Sequence, residues 1–277
     1  MAKFIIHGGK KLEGKVKISG SKNSSMPILS ASILIGGEVT LHNVPSLGDI
    51  DTFLDILSKI GAKVRKKNNN TVIVDTSGPI NSEIIGEKTQ KIRGSQTLLG
   101  AILTREKNVL LESLGGCKIG SRPIDLHFKG LTALGADIIF EKGSIKAKVK
   151  ELKGNKIYLD YPSVGATENI LLAASLAKGE TIIENAALDP EVEELCNFLI
   201  AAGARIYGVG TNTLRIHGVK GLRSTTYSII PDRIEAGTYM ISATISKGEI
   251  LVEPVVISHI EPLILKLIEA GLEVRTD

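Results

Sequence analysis

Ile60-Gly61-Ala62-Lys63-Val64 ends an apolar helical pattern and begins a strand, and the same phrase returns three times along the chain. It recurs as Leu134-Gly135-Ala136-Asp137-Ile138, Ala202-Gly203-Ala204-Arg205-Ile206 and Ala270-Gly271-Leu272-Glu273-Val274, with the glycines 74, 68 and 68 residues apart. A glycine between a helical period and a strand period is the residue that ends a helix in the left-handed conformation, which side-chain-bearing residues adopt at a cost. Self-similarity at a fixed spacing defines a repeat, so the chain reads as four copies of one α/β unit.

Each glycine is preceded by the same succession: a helix rich in small residues, a short strand, a loop, and a second, amphipathic helix. The first helices are expected at Ser24 to Leu34, Ser95 to Thr104, Thr167 to Ala177 and Ile234 to Ile245. The strands that follow are Val39 to His42, Val109 to Glu112, Thr181 to Glu184 and Ile250 to Glu253. In the first amphipathic helix Ile50, Phe53, Leu54, Leu57 and Ile60 share one face at helical spacing, so that face packs inward.

The repeat also shows where one unit departs from the others. From strand end to terminal glycine the units run 42 to 61, 112 to 135, 184 to 203 and 253 to 271, and the second is longer by about four residues. The surplus lies in Ser113 to Ser121, within Leu114-Gly115-Gly116-Cys117-Lys118-Ile119-Gly120-Ser121-Arg122-Pro123-Ile124-Asp125-Leu126-His127. Packing a repeat needs no such extension, and loops on rigid scaffolds are where chemistry collects. Gly115, Gly116 and Gly120 let the backbone approach a ligand closely around the Cys117 thiol. Pro123 suits the first position of a helix, whose free N–H groups, with Arg122 at its mouth, would hold an anion beside that thiol. A buried, inert cysteine in a plain turn is the alternative.

His127 stands eight residues before its terminal glycine, where the other units have Phe53, Leu195 and Leu263. A buried ring nitrogen left unsatisfied costs about 1–3 kcal/mol, so His127 needs a partner, either as a plain core histidine or as a group orienting the adjoining loop. Three further helix entrances favour an anion: Gly20-Ser21-Lys22-Asn23-Ser24, Arg93-Gly94-Ser95, and Pro162-Ser163-Val164-Gly165-Ala166-Thr167. Each alone is also a plain helix cap; three in equivalent places favour an anionic ligand spanning several units.

Composition limits the remaining possibilities. The 277 residues are 43% hydrophobic and 23% charged with a net charge of +4, and no run of five basic residues occurs, so neither nucleic acid nor a membrane surface is an expected partner. No segment approaches the roughly 20 apolar residues of a membrane span, and Cys117 and Cys196 are the only cysteines, so a reducing, cytoplasmic setting is expected. Cys196 falls within the apolar pattern of Val192, Leu195, Leu199 and Ala202 and belongs to the core. His7, His42, His127, His217 and His259 show no metal-ligand spacing, and no metal is expected.

These stretches together, with Lys11-Leu12-Glu13-Gly14, Ile18-Ser19-Gly20-Ser21-Lys22-Asn23 and Pro231-Asp232-Arg233-Ile234-Glu235, resemble the enolpyruvyl transferases from Phe4 to the end of the chain. The loop around Cys117 points to the branch acting on UDP-N-acetylglucosamine rather than the shikimate-pathway branch, which has no such cysteine. The resemblance implies an inside-out α/β barrel, in which each domain has three units around buried helices. It makes residues 22–228 one complete domain, and residues 1–21 with 229–277 part of a second. Family members are about half as long again, so two units and the carboxylate base and further arginines they carry would be absent here.

The resemblance also implies the site. Phosphoenolpyruvate would be held by Lys22 and Arg122 beside Asn23. UDP-N-acetylglucosamine would meet Arg93, the Arg122, Pro123, Ile124, Asp125 and Leu126 segment, and the Ser163, Val164 and Gly165 turn; Tyr161 stands where a family lysine can meet a phosphate. The sugar 3-hydroxyl would add to C2 of phosphoenolpyruvate and phosphate would leave, the first committed step of peptidoglycan synthesis, with no cofactor. Cys117, with a thiol pKa of about 8.5 when unperturbed, would protonate C3 and would be alkylated by fosfomycin. A non-catalytic sugar-nucleotide-binding protein and a transferase using another hydroxyl acceptor remain the alternatives.

Overall fold

The four repeat glycines all take positive φ, Gly61 at 111°, Gly135 at 102°, Gly203 at 105° and Gly271 at 93°. The structure, a computed structural model, describes residues 3–68, 70–86, 92–112 and 123–276, with Arg93 described by its backbone alone. Each glycine closes its helix with the same pair of bonds. Gly61 N–H donates to Ser58 and Ala62 N–H to Leu57, at 3.1 and 3.0 Å, and the other three glycines repeat this pattern. This double bond satisfies carbonyls that a helix end otherwise leaves open.

In chain order the elements are β1 (Glu13–Lys17), α1 (Lys22–Ile35), β2 (Glu38–His42), α2 (Gly48–Lys59), β3 (Lys63–Asn68), β4 (Thr71–Asp75) and β5 (Glu83–Ile84). A 3-10 turn, Arg93–Gln96, then leads into α3 (Thr97–Glu106), followed by β6 (Asn108–Leu111), α4 (Asp125–Ala133), β7 (Asp137–Glu141), β8 (Ser144–Lys148) and β9 (Lys156–Tyr158). The remainder is α5 (Val164–Ala174), β10 (Glu180–Glu184), α6 (Pro190–Ala201), β11 (Arg205–Tyr207), β12 (Thr213–His217), β13 (Thr225–Ser228), α7 (Arg233–Ser246), β14 (Glu249–Glu253) and α8 (Glu261–Glu269). The chain divides into two compact units, residues 22–229 and residues 1–21 with 230–277.

In the larger unit, three four-stranded sheets repeat one plan, with orders β13-β2-β4-β3, β5-β6-β8-β7 and β9-β10-β12-β11. Within each, the strand after the glycine forms an antiparallel hairpin with its successor, and that successor pairs with the strand after the first helix. The next strand is then handed to the following sheet, where it pairs in parallel: β5 with β6, β9 with β10, and β13 back to β2. That return of β13 to the first sheet ties the third repeat to the first. The three sheets remain separate in their strand pairing among the described residues, each handing one strand to the next.

The apolar faces of the sheets and the three first-type helices make one core. Twelve of fourteen residues of α1, eight of ten of α3 and nine of eleven of α5 are buried. Small residues permit this. A Cβ on Gly100 of α3 would lie 2.5 Å from the backbone oxygen of Asn169 in α5, so no larger residue fits between those helices. Their buried hydroxyls bond carbonyls three or four residues back, as Ser32 Oγ does to Leu29 and Thr104 Oγ1 to Gly100, at 2.6 Å each.

In the smaller unit β1 pairs in parallel with β14, as β5 does with β6, but among the described residues no antiparallel partner flanks β14. Only three of fourteen residues of α7 are buried, and Ile234, Ile241 and Ile245 are exposed. The strand expected after Gly271 is not formed at residues 272–276, unlike its counterparts β3, β7 and β11. Sequence reading also overlooked the return strands β4, β8 and β12. No helix among the described residues is long and apolar enough to cross a membrane.

Candidate functional site

One side chain gathers three helix entrances. Asn169, fully buried on α5, accepts the Gly100 N–H on Oδ1 at 2.7 Å, which fixes which end of its amide carries the hydrogens. Nδ2 then faces the Gln96 carbonyl at 3.0 Å, His127 Nδ1 at 2.9 Å and the Gly165 carbonyl at 3.3 Å. Gln96 ends the 3-10 turn that begins at Arg93, His127 lies in the first turn of α4, and Gly165 in the first turn of α5. The starts of α3, α4 and α5 therefore converge on a single amide nitrogen.

The entrance of α1 joins them. A Cβ on Gly94 would sit 2.1 Å from the Met26 sulfur, so the Arg93–Gln96 turn presses on the first turns of α1. Farther along, Ser30 Oγ and Thr97 Oγ1 share a bond of 2.6 Å, and Arg105 Nη1 donates to the Ile33 carbonyl at 2.8 Å. Contacts thus advance along both chains together, so α1 and α3 run parallel with their N-terminal ends side by side.

Lys22 is the first residue of α1, where its ammonium adds to the positive end of the helix and no acidic residue of the first turn offsets it. Its Nζ bonds Asp49 Oδ2 of α2 at 3.2 Å. Asn23 follows, and Pro27 carries no N–H for the Asn23 carbonyl. Ser163 caps α5, its Oγ accepting from Ala166 N at 3.4 Å, with Val164 and Gly165 completing the turn. Gly165 is needed there because a Cβ would stand 3.0 Å from His127 Cε1.

Helix α4 begins at Asp125 with Ile124 as its cap, so Pro123 stands before the helix rather than at its first position. The cause is visible in the bonds: Phe128 N–H is the donor that reaches Ile124, at 3.2 Å. Asp125, not a proline, takes the N-terminal place, where its carboxylate suits the dipole. Leu126 and His127 are buried, at 2% and 5% exposure, and the Asn169 bond supplies the partner His127 requires. Cys117 and Arg122, with the glycines around them, lie outside the described residues, as does the side chain of Arg93. Cys196 is buried, and burial with the nearby Glu193 charge pushes its thiol up to about 12, which makes it inert at neutral pH.

In the smaller unit two quoted stretches meet. Ser19 donates to Glu235 Oε2 from its hydroxyl at 2.5 Å and its N–H at 3.0 Å, Asp232 N–H reaches the Ser19 carbonyl, and Asp232 caps α7 through Ile234 and Glu235 N–H. Asn169 and Asp49 were missed by sequence reasoning. Asn169 carried a signal, a carboxamide beside Glu168 in a mostly apolar helix; Asp49 carries none beyond its place at a helix start.

The arrangement offers backbone N–H groups from several helix starts together with an ammonium, which suits a multiply charged anion. The EPSP synthase (3-phosphoshikimate 1-carboxyvinyltransferase) family matches residues 6–277. The chain is 50% identical over 277 residues to UDP-N-acetylglucosamine 1-carboxyvinyltransferase 2 of Carboxydothermus hydrogenoformans, covering all of this chain and 66% of that protein. It is 47% identical to UDP-N-acetylglucosamine 1-carboxyvinyltransferase 1 of Staphylococcus aureus strain MRSA252, again covering 66% of it. The chain thus spans just under two thirds of the length of these curated relatives. Among solved structures, the enolpyruvyl transferase NikO from Streptomyces tendae is 26% identical with a TM-score of 0.76, over 85% of this chain and 56% of that one. EPSP synthase from Acinetobacter baumannii, 22% identical over 84% of this chain and 53% of that one, shares the fold with a TM-score of 0.68.

Proposed function

Because the chain belongs to the EPSP synthase (3-phosphoshikimate 1-carboxyvinyltransferase) family, we propose that it transfers the enolpyruvyl group of phosphoenolpyruvate to the 3-hydroxyl of UDP-N-acetylglucosamine and releases phosphate. The observation that carries this reading is the 50% identity, along the whole chain, to a relative of that name. The convergent entrances of α1, α3, α4 and α5 support it, since both substrates are phosphate-bearing anions. The step is the first committed one of peptidoglycan synthesis and runs in the cytoplasm.

In this reading residues 22–229 are the family's complete three-repeat domain and the smaller unit is part of its second. Lys22 and Arg122 hold phosphoenolpyruvate with Asn23 beside them. Arg93, Pro123, Ile124, Asp125 and Leu126, and the Ser163, Val164 and Gly165 turn, hold the sugar nucleotide. The sugar O3 bonds to C2 of phosphoenolpyruvate while the Cys117 thiol gives its proton to C3. A C3 proton then returns to the Cys117 thiolate, the bond from C2 to the phosphate oxygen breaks, inorganic phosphate leaves, and the enol double bond re-forms on the group now carried by the sugar.

The hydroxyl proton goes to a base in the third of the relatives that this chain does not cover. General-base help is worth roughly 10²–10⁴-fold, so turnover by these residues alone is low. A second reading is a protein that binds the sugar nucleotide without reaction, since the chain spans 66% of the relatives' length. Mass spectrometry after incubation with both substrates separates the readings. Enolpyruvyl-UDP-N-acetylglucosamine establishes the transferase; binding without product leaves the second reading; no binding of UDP-N-acetylglucosamine points to another acceptor and refutes the first.

A further inference from the structure

The polar group that the proposed chemistry does not use is the one that the three entrances share. Asn169 has two N–H hydrogens on Nδ2 for three acceptors, Gln96 O, His127 Nδ1 and Gly165 O, and its Oδ1 is committed to Gly100 N–H. The Gly100 bond excludes the flipped amide, because a carboxamide nitrogen cannot accept from that N–H. His127 Nδ1 must therefore accept, and the ring's proton resides on Nε2. His127 in turn rests against Gly165, where an added Cβ would lie 3.2 Å from Nε2, so ring orientation and the α5 entrance are mechanically linked.

We infer that Asn169 is the positioning residue of the sugar-nucleotide site: one side-chain amide sets the spacing of the α3, α4 and α5 entrances and the tautomer of His127. This rests on the functional reading above. Asn169 touches no substrate in it and acts through the Gly165 turn, the Arg93–Gln96 turn and the His127 ring. Replacing the amide by a carboxylate of the same shape sets an acceptor against two carbonyls and a ring nitrogen, so Asn169→Asp keeps the volume and reverses the polarity. Asn169→Leu removes both donor and acceptor. Either change moves the entrances apart without touching a proposed ligand contact.

The test has two arms on the full chain. The first is the nitrogen-15 spectrum of the His127 imidazole, assigned by its disappearance in His127→Gln. The wild type is expected to show a bare Nδ1 and a protonated Nε2, and Asn169→Leu to lose that fixed state; a wild-type proton on Nδ1 overturns the inference. The second is calorimetric titration with UDP-N-acetylglucosamine, with thermal melting to confirm folding. Asn169→Asp and Asn169→Leu are expected to bind about tenfold or more weakly. Ser175→Ala, which removes a buried bond to Leu171 near the far end of α5, is expected to bind as the wild type does. Unchanged affinity in both Asn169 variants overturns the inference. A wild type that binds no UDP-N-acetylglucosamine overturns the functional reading instead, and the spectroscopic arm, which needs no ligand, still decides whether Asn169 orients the ring.

Discussion

Glu168, one residue before Asn169, is 5% exposed on α5, and its carboxyl makes the stability of the chain depend on pH. Burial first, and then the charges of Glu191 and Asp189, hold this carboxyl well above the ordinary 4.5. The sign follows from proton counting. Between 4.5 and the raised folded value the folded chain keeps a proton that the unfolded chain has lost. The contribution is full below about pH 4.5, falls as pH rises, and levels off above the folded value. Each pH unit in that window costs about 1.4 kcal/mol. Glu168→Gln keeps the shape and the neutral state but does not titrate, so its advantage over the wild type should widen as pH rises from 4.5 towards the raised folded value. Urea denaturation at several pH values measures this as a widening gap in midpoint at constant slope. All other groups are common to both chains and cancel. A gap that stays constant across this window would mean that Glu168 is ionised in the folded state and would refute the reasoning.

Gly100→Ala should destabilise by about 2 kcal/mol or more despite alanine's better helix propensity, because its Cβ meets backbone at 2.5 Å; Gly165→Ala meets the movable ring of His127 at 3.0 Å and should cost less, as thermal melting will rank them. Lys22→Met should abolish calorimetric binding of phosphoenolpyruvate while changing stability by no more than about 1 kcal/mol, since removing a cation from a helix N-terminus offsets the loss of the part-exposed Asp49 ion pair. Phe198→Ala should cost about 3–5 kcal/mol in denaturant titration, because the ring is fully buried and meets Tyr227 of β13 edge-on at 5.5 Å, where the third repeat is tied back to the first.

Helices and their ends were legible because their signals are local. The period of apolar residues marks α2, and a glycine forced to positive φ marks its end, so Gly61, Gly135, Gly203 and Gly271 could be placed from the chain alone. The ends of the first-type helices were placed within about three residues: α1 begins at Lys22 rather than Ser24, and α5 spans Val164–Ala174 where 167–177 was expected, differences near the size that helix ends ordinarily carry. The return strands were not legible. Thr213–His217 and Ser144–Lys148 alternate apolar and polar residues over only five positions, too short a pattern to stand out without knowing the hairpin partner. Pairing decides a strand, and residues 272–276, despite a β-like composition, pair with no strand among the described residues.

At the site, residues that advertise themselves by charge or turn chemistry were readable: Lys22, Asn23, and the Ser163, Val164 and Gly165 turn. Asn169 was not, because its importance lies in what three distant segments bring to it. Gln96, His127 and Gly165 are separated by up to 69 positions, and only packing makes them neighbours. His127 stood out by breaking the apolar pattern set by Phe53, Leu195 and Leu263, but its partner could be named only from the fold.

The central claim is that the Cys117 loop and these entrances form one enolpyruvyl-transfer site, and phosphate release tests it most directly. The purified chain and Cys117→Ala are each given phosphoenolpyruvate with and without UDP-N-acetylglucosamine. The account predicts slow release by the wild type that requires the sugar nucleotide, and none by Cys117→Ala. Release that ignores the sugar nucleotide, or that survives the loss of the thiol, would contradict it.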